Sequence, residues 1–173
     1  KIFEVIEAQK IFNIDKSKFR ILIHPKSYVH AIVKFKSGII KFLAHDTNMR
    51  IPIFNSIYLN EENKINSEKI NLFFLNNLNF SLPNKKKFTS INFLKYIKNE
   101  NTLFETILIT ANDELVNLYL KDKINFKDIY TLTKKTVLLK IFKRYFNKKP
   151  KNPEEIINLV KKVRFKINQL CNI

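Results

Sequence analysis

A single glycine, Gly38, is the feature that most restricts what this 173-residue chain can fold into. Glycine-rich loops that cradle phosphates or dinucleotides need several glycines at fixed spacing, so this chain cannot form one. Gly38 lies between two runs typical of β-strands, residues 29–36 and 39–44. A glycine kept at such a point indicates a turn with positive φ. We therefore predict a β-hairpin around Gly38.

In the segments before and after this hairpin, apolar residues recur with other spacings. Apolar residues in 1–14 follow helical spacing, whereas residues 19–24 alternate as a strand does. Pro25 ends that strand because proline has no N–H to donate. Residues 49–59 are interpreted as a short helix or turn.

The C-terminal half of the chain has a helical period. We predict a helix capped by Ser90, and further helices over residues 102–120 and 125–142. The sequence Asn-Pro-Glu at 152–154 combines a cap, a first-turn proline and an acid favoured by the helix dipole, so it predicts a last helix. Together with the hairpin, these patterns predict a mixed α/β (α+β) fold ending in a small helical bundle.

The amino-acid composition restricts the possible functions less than these patterns restrict the fold. The net charge of +17 is compatible with a non-enzymatic basic module that binds nucleic acid or an acidic surface. However, only four of the 32 basic residues are arginines, the residue that dedicated nucleic-acid binders use for bidentate contacts. We favour the nucleotide composition of an AT-rich genome, which raises the share of lysine codons, as the source of the charge. No apolar run reaches the roughly 18 residues of a membrane span, and one cysteine, Cys171, excludes an intrachain disulfide.

Candidate chemical groups are few when the residues are considered alone. His24 and His30 lie six residues apart with no acidic residue or cysteine nearby, which is a weak pattern for zinc. Buried or hinge histidines bonded to backbone groups are the favoured interpretation. Lys1, Glu4 and Glu7 can share one helix face, where the simplest expectation is a surface ion pair.

Four stretches, in order, resemble the C-terminal half of 1-deoxy-D-xylulose 5-phosphate reductoisomerases. Agreement in order and spacing covers roughly residues 1–140, and the pattern I-H-P-x-S-x-V-H is specific to the family. The stretches are KIFEVIEAQKIFNI, ILIHPKSYVHAIVKFKSGIIKFLA, NMRIPI and ITANDELVNLYLKDKINFKDI. The last 30 residues match only as a helical tail.

The resemblance implies an NADPH-dependent oxidoreductase and isomerase of the non-mevalonate isoprenoid pathway. Such enzymes convert 1-deoxy-D-xylulose 5-phosphate to 2-C-methyl-D-erythritol 4-phosphate with a divalent metal, Mg²⁺ or Mn²⁺. It further implies a phosphosugar substrate, a homodimer when full length, no nucleic-acid or membrane partner, and a bacterial cytoplasmic or plastid-type location. Residues 1–60 would end a catalytic and connective α/β domain, 61–89 would be a linker, and 90–173 would form the C-terminal helical domain.

The resemblance also assigns roles to individual residues. Glu4 matches a carboxylate that binds the metal and contacts substrate, so it counts as catalytic. Lys1 matches a substrate-binding lysine. Ser27 and Met49 match positions that line the nicotinamide. His30 matches a histidine near the catalytic centre, so it is also counted as catalytic, but it is not a metal ligand.

Several positions depart from the family pattern. Ile2 and Phe3 replace a Gly-Leu pair, Thr47 and Asn48 replace Pro-Asp, and Asp113 replaces a glutamate. The family's NADPH-binding domain and its other metal-binding acids precede the position of Lys1. The chain begins with what reads as the middle of a helix, so we expect a fragment that is inactive by itself.

Overall fold

The structure, a computed structural model, describes residues 1–58, 63–69 and 71–172. Its strands and helices confirm the mixed α/β class with a helical C-terminal part. In chain order they are α1 (Ile2–Phe12), β1 (Val29–Lys34), β2 (Ile40–Ala44), α2 (Arg50–Ile57), α3 (Leu72–Asn76), α4 (Leu103–Leu120), α5 (Phe126–Val137), α6 (Lys140–Lys143) and α7 (Pro153–Leu170), with 3-10 helices at Lys16–Lys18 and Thr89–Tyr96. Within the described part of the chain, no helix has the length and apolarity needed to cross a membrane.

The chain divides into two compact units. The helical unit contains Lys1–Arg20 and Asn84–Ile173, and the hairpin unit contains Ile21–Pro83. Helix α1 therefore groups with the C-terminal helices, although it is distant from them in sequence. The assignment of residues 1–60, 61–89 and 90–173 to parts of a full-length enzyme stays a prediction.

Helix α4 forms the centre of the helical unit, where it packs against α5 and α7. Its start is fixed by a capping box in which Glu105, 2% exposed, accepts hydrogen bonds from the Thr102 amide at 3.2 Å and the Thr102 hydroxyl at 2.6 Å. The predicted start of the last helix is confirmed, since the Asn152 side chain accepts from the Glu155 amide at 2.9 Å and Pro153 opens α7. The apolar side chains buried here include Leu103, Phe104, Ile107, Leu108, Leu115, Val137, Phe142, Leu159, Val163 and Ile167.

Two helix predictions in this unit are wrong in detail. The segment predicted as one helix over 125–142 breaks between α5 and α6, because Val137 and Phe142 are both fully buried. Five residues along a continuous helix would rotate them about 140° apart, so a break lets both reach the core. Ser90 caps no α-helix. It lies inside the 3-10 helix Thr89–Tyr96, whose three-residue turn matches the spacing of Ile91, Leu94 and Ile97.

The predicted hairpin in the hairpin unit is confirmed. Strands β1 and β2 pair antiparallel, and Gly38 adopts the expected positive φ, 88°. The pairing runs regularly from Lys34↔Ile40 to Ala31↔Leu43 and then shifts, so that Val29 lies opposite Ala44. His30 is thus the extra residue of a β-bulge in β1. Most side chains of both strands are exposed.

The predicted strand over residues 19–24 is wrong, since only Ile23 has a partner, Ser81, in an isolated bridge. In an antiparallel extension of this bridge, the next hydrogen-bonded pairs would be Ile21 with Pro83 and Pro25 with Asn79. Each of those pairs contains a proline, which lacks the N–H that a ladder needs. The alternating pattern is therefore present without the partner strand that it requires.

Candidate functional site

Lys1 and Glu4 come together at the start of α1. The Lys1 ammonium donates to a Glu4 carboxylate oxygen at 2.8 Å, and both side chains are about 60% exposed. The hydrogen bond from Lys1 lowers the pKa of Glu4, with the positive charge of Lys1 adding to it and partial burial opposing it. The carboxylate is thus ionised at neutral pH, accepts hydrogen bonds only, and is accessible to a cation or a substrate hydroxyl. As an exposed pair it adds only about 0.2–0.5 kcal/mol to helix stability.

The opposite face of α1 holds this pair in place. Ile2 and Ile6 are buried in the core of the helical unit. One turn further on, Gln9 is 7% exposed and its amide donates to the Lys98 carbonyl at 2.8 Å. Because Glu4 is on the same rigid helix, these contacts also fix its position.

A small cavity of about 120 Å³ lies beside the first turn of α1, and the buried Thr133 is among the residues that line it. The other lining residues are Lys1, Ile2, Phe3, Ser90, Phe93, Leu108 and Asn112. A larger cavity, about 360 Å³, lies at the start of α7 and contains none of the predicted site residues. We therefore place the candidate site by the chemistry of Lys1 and Glu4 and not by cavity size.

His30, in the hairpin unit, stacks on a histidine that the sequence patterns did not single out. The rings of His30 and His45 have centroids 3.6 Å apart and planes within 4°. His30 Nε2 lies 3.3 Å from the His45 carbonyl, and His45 Nδ1 lies 2.6 Å from the Asp46 carbonyl. Since carbonyls only accept, His30 Nε2 and His45 Nδ1 each donate a proton in these contacts.

Ser27 and Met49 also belong to the hairpin unit. Ser27 is exposed, has φ of 52°, and its amide donates to the His24 carbonyl at 3.0 Å to close a tight turn. Met49 precedes α2 and is 65% exposed, so its thioether can pack against a flat apolar ring. The predicted site residues therefore divide between two units, with Lys1 and Glu4 in one and the other three in the second.

Glu4 has the chemistry of a ligand for a hard divalent cation but does not make a site alone. An exposed, ionised carboxylate suits Mg²⁺ or Mn²⁺. Within residues 1–58, 63–69 and 71–172, no three His, Cys, Asp or Glu side chains cluster closely enough to hold a metal. The described residues therefore do not form a metal site by themselves.

Three residues of the hairpin unit make contacts that the sequence did not predict: His45, Lys26 and Phe73. His45 had a signal, because a hairpin closed at Gly38 brings residues just beyond β2 close to the start of β1. Lys26 and Phe73 had none, since a lysine over a phenylalanine ring 47 positions away follows no local period.

Comparison with known proteins agrees with the resemblance. Residues 45–166 match the family model described as the DXP reductoisomerase C-terminal domain. The 1-deoxy-D-xylulose 5-phosphate reductoisomerase of Pelagibacter ubique is 49% identical over 98% of this chain, and that of Persephonella marina is 34% identical over 100%. The chain spans 44% and 46% of these relatives, a little under half their length.

Solved structures of reductoisomerases have the same fold. The enzyme from Zymomonas mobilis in complex with NADPH superposes with a TM-score of 0.82 at 25% identity, over 99% of this chain and 44% of that one. A reductoisomerase in complex with NADPH, fosmidomycin and magnesium gives 0.85 at 26% identity, over 99% and 43%. With a family model that covers well over half of its residues, the chain belongs to the DXP reductoisomerase C-terminal domain family.

Proposed function

We propose that this chain is the C-terminal part of an enzyme that rearranges 1-deoxy-D-xylulose 5-phosphate and reduces the product with NADPH to 2-C-methyl-D-erythritol 4-phosphate. The observation that carries the proposal is the 49% identity to a reductoisomerase over 98% of this chain. The contact between Lys1 and Glu4 supports it, because these residues also match the family's substrate- and metal-binding positions. No feature of the described residues favours the alternative of a nucleic-acid-binding module.

In this proposal Glu4 holds one coordination position of a divalent cation, and the remaining acids precede Lys1 in the full-length protein. The cation, when bound, would polarise a substrate carbonyl. The low pKa of Glu4 keeps its oxygens unprotonated for that contact. Lys1, with three N–H donors on an accessible ammonium, binds a substrate oxygen while it orients Glu4.

His30, Ser27 and Met49 act on the nicotinamide side of the proposed site. The exposed thioether of Met49 packs against the nicotinamide ring, and the Ser27 hydroxyl lines the same surface. His30 serves as a positioning group whose orientation is set by its stack on His45. Carboxylates bind the metal in this proposal, and the histidines do not.

Further parts of the proposal concern the whole protein. The chain alone is inactive, because the NADPH-binding domain and the other metal-binding acids are contributed by preceding residues. The full-length enzyme acts as a homodimer on a small phosphosugar, in a cytoplasmic location.

Substitution of Glu4 in the full-length enzyme tests the function directly. Glu4→Gln removes the charge and leaves the shape, so kcat/KM should fall by more than the roughly 10–100-fold that follows loss of even an outer-sphere partner of a metal. Glu7→Gln is the matched control, one turn along the same helix and also exposed. NADPH oxidation with 1-deoxy-D-xylulose 5-phosphate and Mg²⁺ provides the assay, and titration with Mn²⁺ provides a metal affinity.

Two results would contradict this proposal. A full-length protein that does not oxidise NADPH with this substrate is not the proposed enzyme. If Glu4→Gln keeps both its activity and its Mn²⁺ affinity, Glu4 is not a metal ligand.

A further inference from the structure

Lys26 has a buried ammonium without a hydrogen-bond acceptor among the described residues. Its Nζ lies 4.1 Å from the ring centroid of Phe73 and 4.7 Å from that of Phe74. Burying a cation without a partner is costly, and the faces of aromatic rings are one environment that compensates for it. Among the described residues, Lys26 is thus held by the two rings of α3 and not by an ion pair.

Lys26 lies in the tight turn from His24 to Ser27, and its cage is one of several contacts between residues 23–28 and residues 72–82. The Ile23 amide donates to the Ser81 carbonyl at 2.8 Å, and the reverse bond is 3.0 Å long. His24 Nδ1 donates to the Asn79 carbonyl at 3.0 Å, and its ring lies 5.1 Å from that of Phe80. Residues 72–82, which lie within the predicted linker, therefore support the turn.

The turn needs this support because of its backbone. Ser27 has φ of 52°, a left-handed conformation that costs free energy for a residue with a Cβ. Prolines flank the Ile23–Ser81 bridge in both directions, so the sheet cannot extend to hold the turn. The contact of Lys26 with Phe73 and Phe74 lies immediately next to the strained residue.

We propose that Lys26 is a positioning residue whose aromatic cage on α3 fixes the His24–Ser27 turn, and with it the Ser27 hydroxyl beside the nicotinamide. The second half of this inference rests on the proposed function. Lys26 does not touch cofactor or substrate in this scheme. It acts through Ser27, and so affects NADPH binding more than the chemical step.

The test uses the full-length enzyme with paired substitutions. Lys26→Met and Phe73→Leu remove the cation and one aromatic face, whereas Lys26→Arg and Phe73→Tyr retain them. Phe73 is 65% exposed, so its variants should fold even if Lys26→Met does not. Lys87→Met is the control, because Lys87 belongs to the helical unit and lies over the ring of its neighbour Phe88 at 5.7 Å.

Two readouts separate this inference from the proposed function. The first is the KM for NADPH against kcat, and the second is the rate of amide hydrogen exchange at Ser27, which donates to the His24 carbonyl. We expect Lys26→Met and Phe73→Leu to raise the KM by up to roughly thirtyfold, the most that a desolvated cation–π contact supplies, with kcat little changed. Exchange at Ser27 should quicken in both, and the retaining variants and Lys87→Met should match the wild type.

The inference is overturned if the KM and the exchange rate are unchanged in Lys26→Met and Phe73→Leu, or if Lys87→Met alters them equally. If the wild-type enzyme lacks reductoisomerase activity, the proposed function fails and the exchange rate alone decides. Faster exchange at Ser27 would then still support the cage, and unchanged exchange would refute it.

Discussion

Gln9 offers the clearest test of how the fold positions the candidate site, because it anchors the helix that carries Glu4. We predict that Gln9→Met destabilises the chain by about 1 kcal/mol, since methionine has similar length but no donor. Gln9 is 7% exposed, so water replaces little of the lost interaction at the side chain. The effect should be a loss of hydrogen bonding without a cavity.

The magnitude follows from the two contacts of the Gln9 amide. The bond to the Lys98 carbonyl, 2.8 Å long, is a full hydrogen bond with a net value of about 0.5–1.5 kcal/mol. The contact with the Asn99 side chain, at 3.4 Å, is beyond the usual range and adds little. The expected loss is therefore that of a single hydrogen bond, about 1 kcal/mol.

Urea unfolding of the chain, followed by helical circular dichroism, measures the effect. With a slope of about 2 kcal/mol per molar, a loss of about 1 kcal/mol moves the midpoint down by roughly 0.5 M. Ile6→Ala removes a core side chain from the same helix and should cost about 2–5 kcal/mol, whereas the exposed Glu7→Gln should stay within about 0.5 kcal/mol. A Gln9→Met midpoint equal to that of Glu7→Gln would refute the anchoring role. One as low as that of Ile6→Ala would refute the estimate from a single hydrogen bond.

Two further substitutions test electrostatics and the histidine stack. The hydrogen bond from Lys148 lowers the pKa of Glu155 in the folded chain, so Glu155 stabilises the fold above its unfolded pKa of about 4.3 and loses that effect as pH falls through the folded value. Glu155→Gln should therefore lower the melting temperature at pH 7, but the difference should disappear once the pH has fallen below the folded pKa of Glu155. A difference in melting temperature that stays constant with pH would contradict this. In the full-length enzyme, His45→Ala should reduce kcat/KM by up to about tenfold while His45→Phe retains most activity, because a phenyl ring preserves stacking on His30. The opposite ranking would show that the stack does not position His30.

The helices were largely predictable because their signals are local. The apolar period of α4 and the Asn-Pro-Glu start of α7 depend on residues within a few positions of one another. The start of α4 at Thr102 carries a capping box that the sequence also displays, with Glu105 three residues later. The break after α5 was not predictable in the same way. It follows from the burial of Val137 and Phe142 in one core, which is a tertiary requirement.

The candidate site was predictable only in part, and for a similar reason. Lys1 and Glu4 lie three residues apart on one helix, so their contact follows from helix geometry alone. The cage around Lys26 depends on where residues 72–82 return beside the turn, and no local pattern specifies that return. Resemblance to a family does not supply it either, because it identifies matching positions and not the side chains that support them.

The hairpin shows why the surroundings of His30 could not be deduced even though the hairpin itself could. Regular pairing through Ala31↔Leu43 would place His30 opposite Ala44, but the bulge gives Ala44 to Val29 and lets His30 stack on His45. Burial of one face normally fixes the register of a strand, since a slip of one residue would expose the apolar side chains. Here most side chains on both faces are exposed, so the apolar pattern cannot distinguish the regular register from the bulged one. The orientation of His30 is therefore decided by the stack with His45 and its backbone contacts, which makes His45 the residue whose substitution should reveal it.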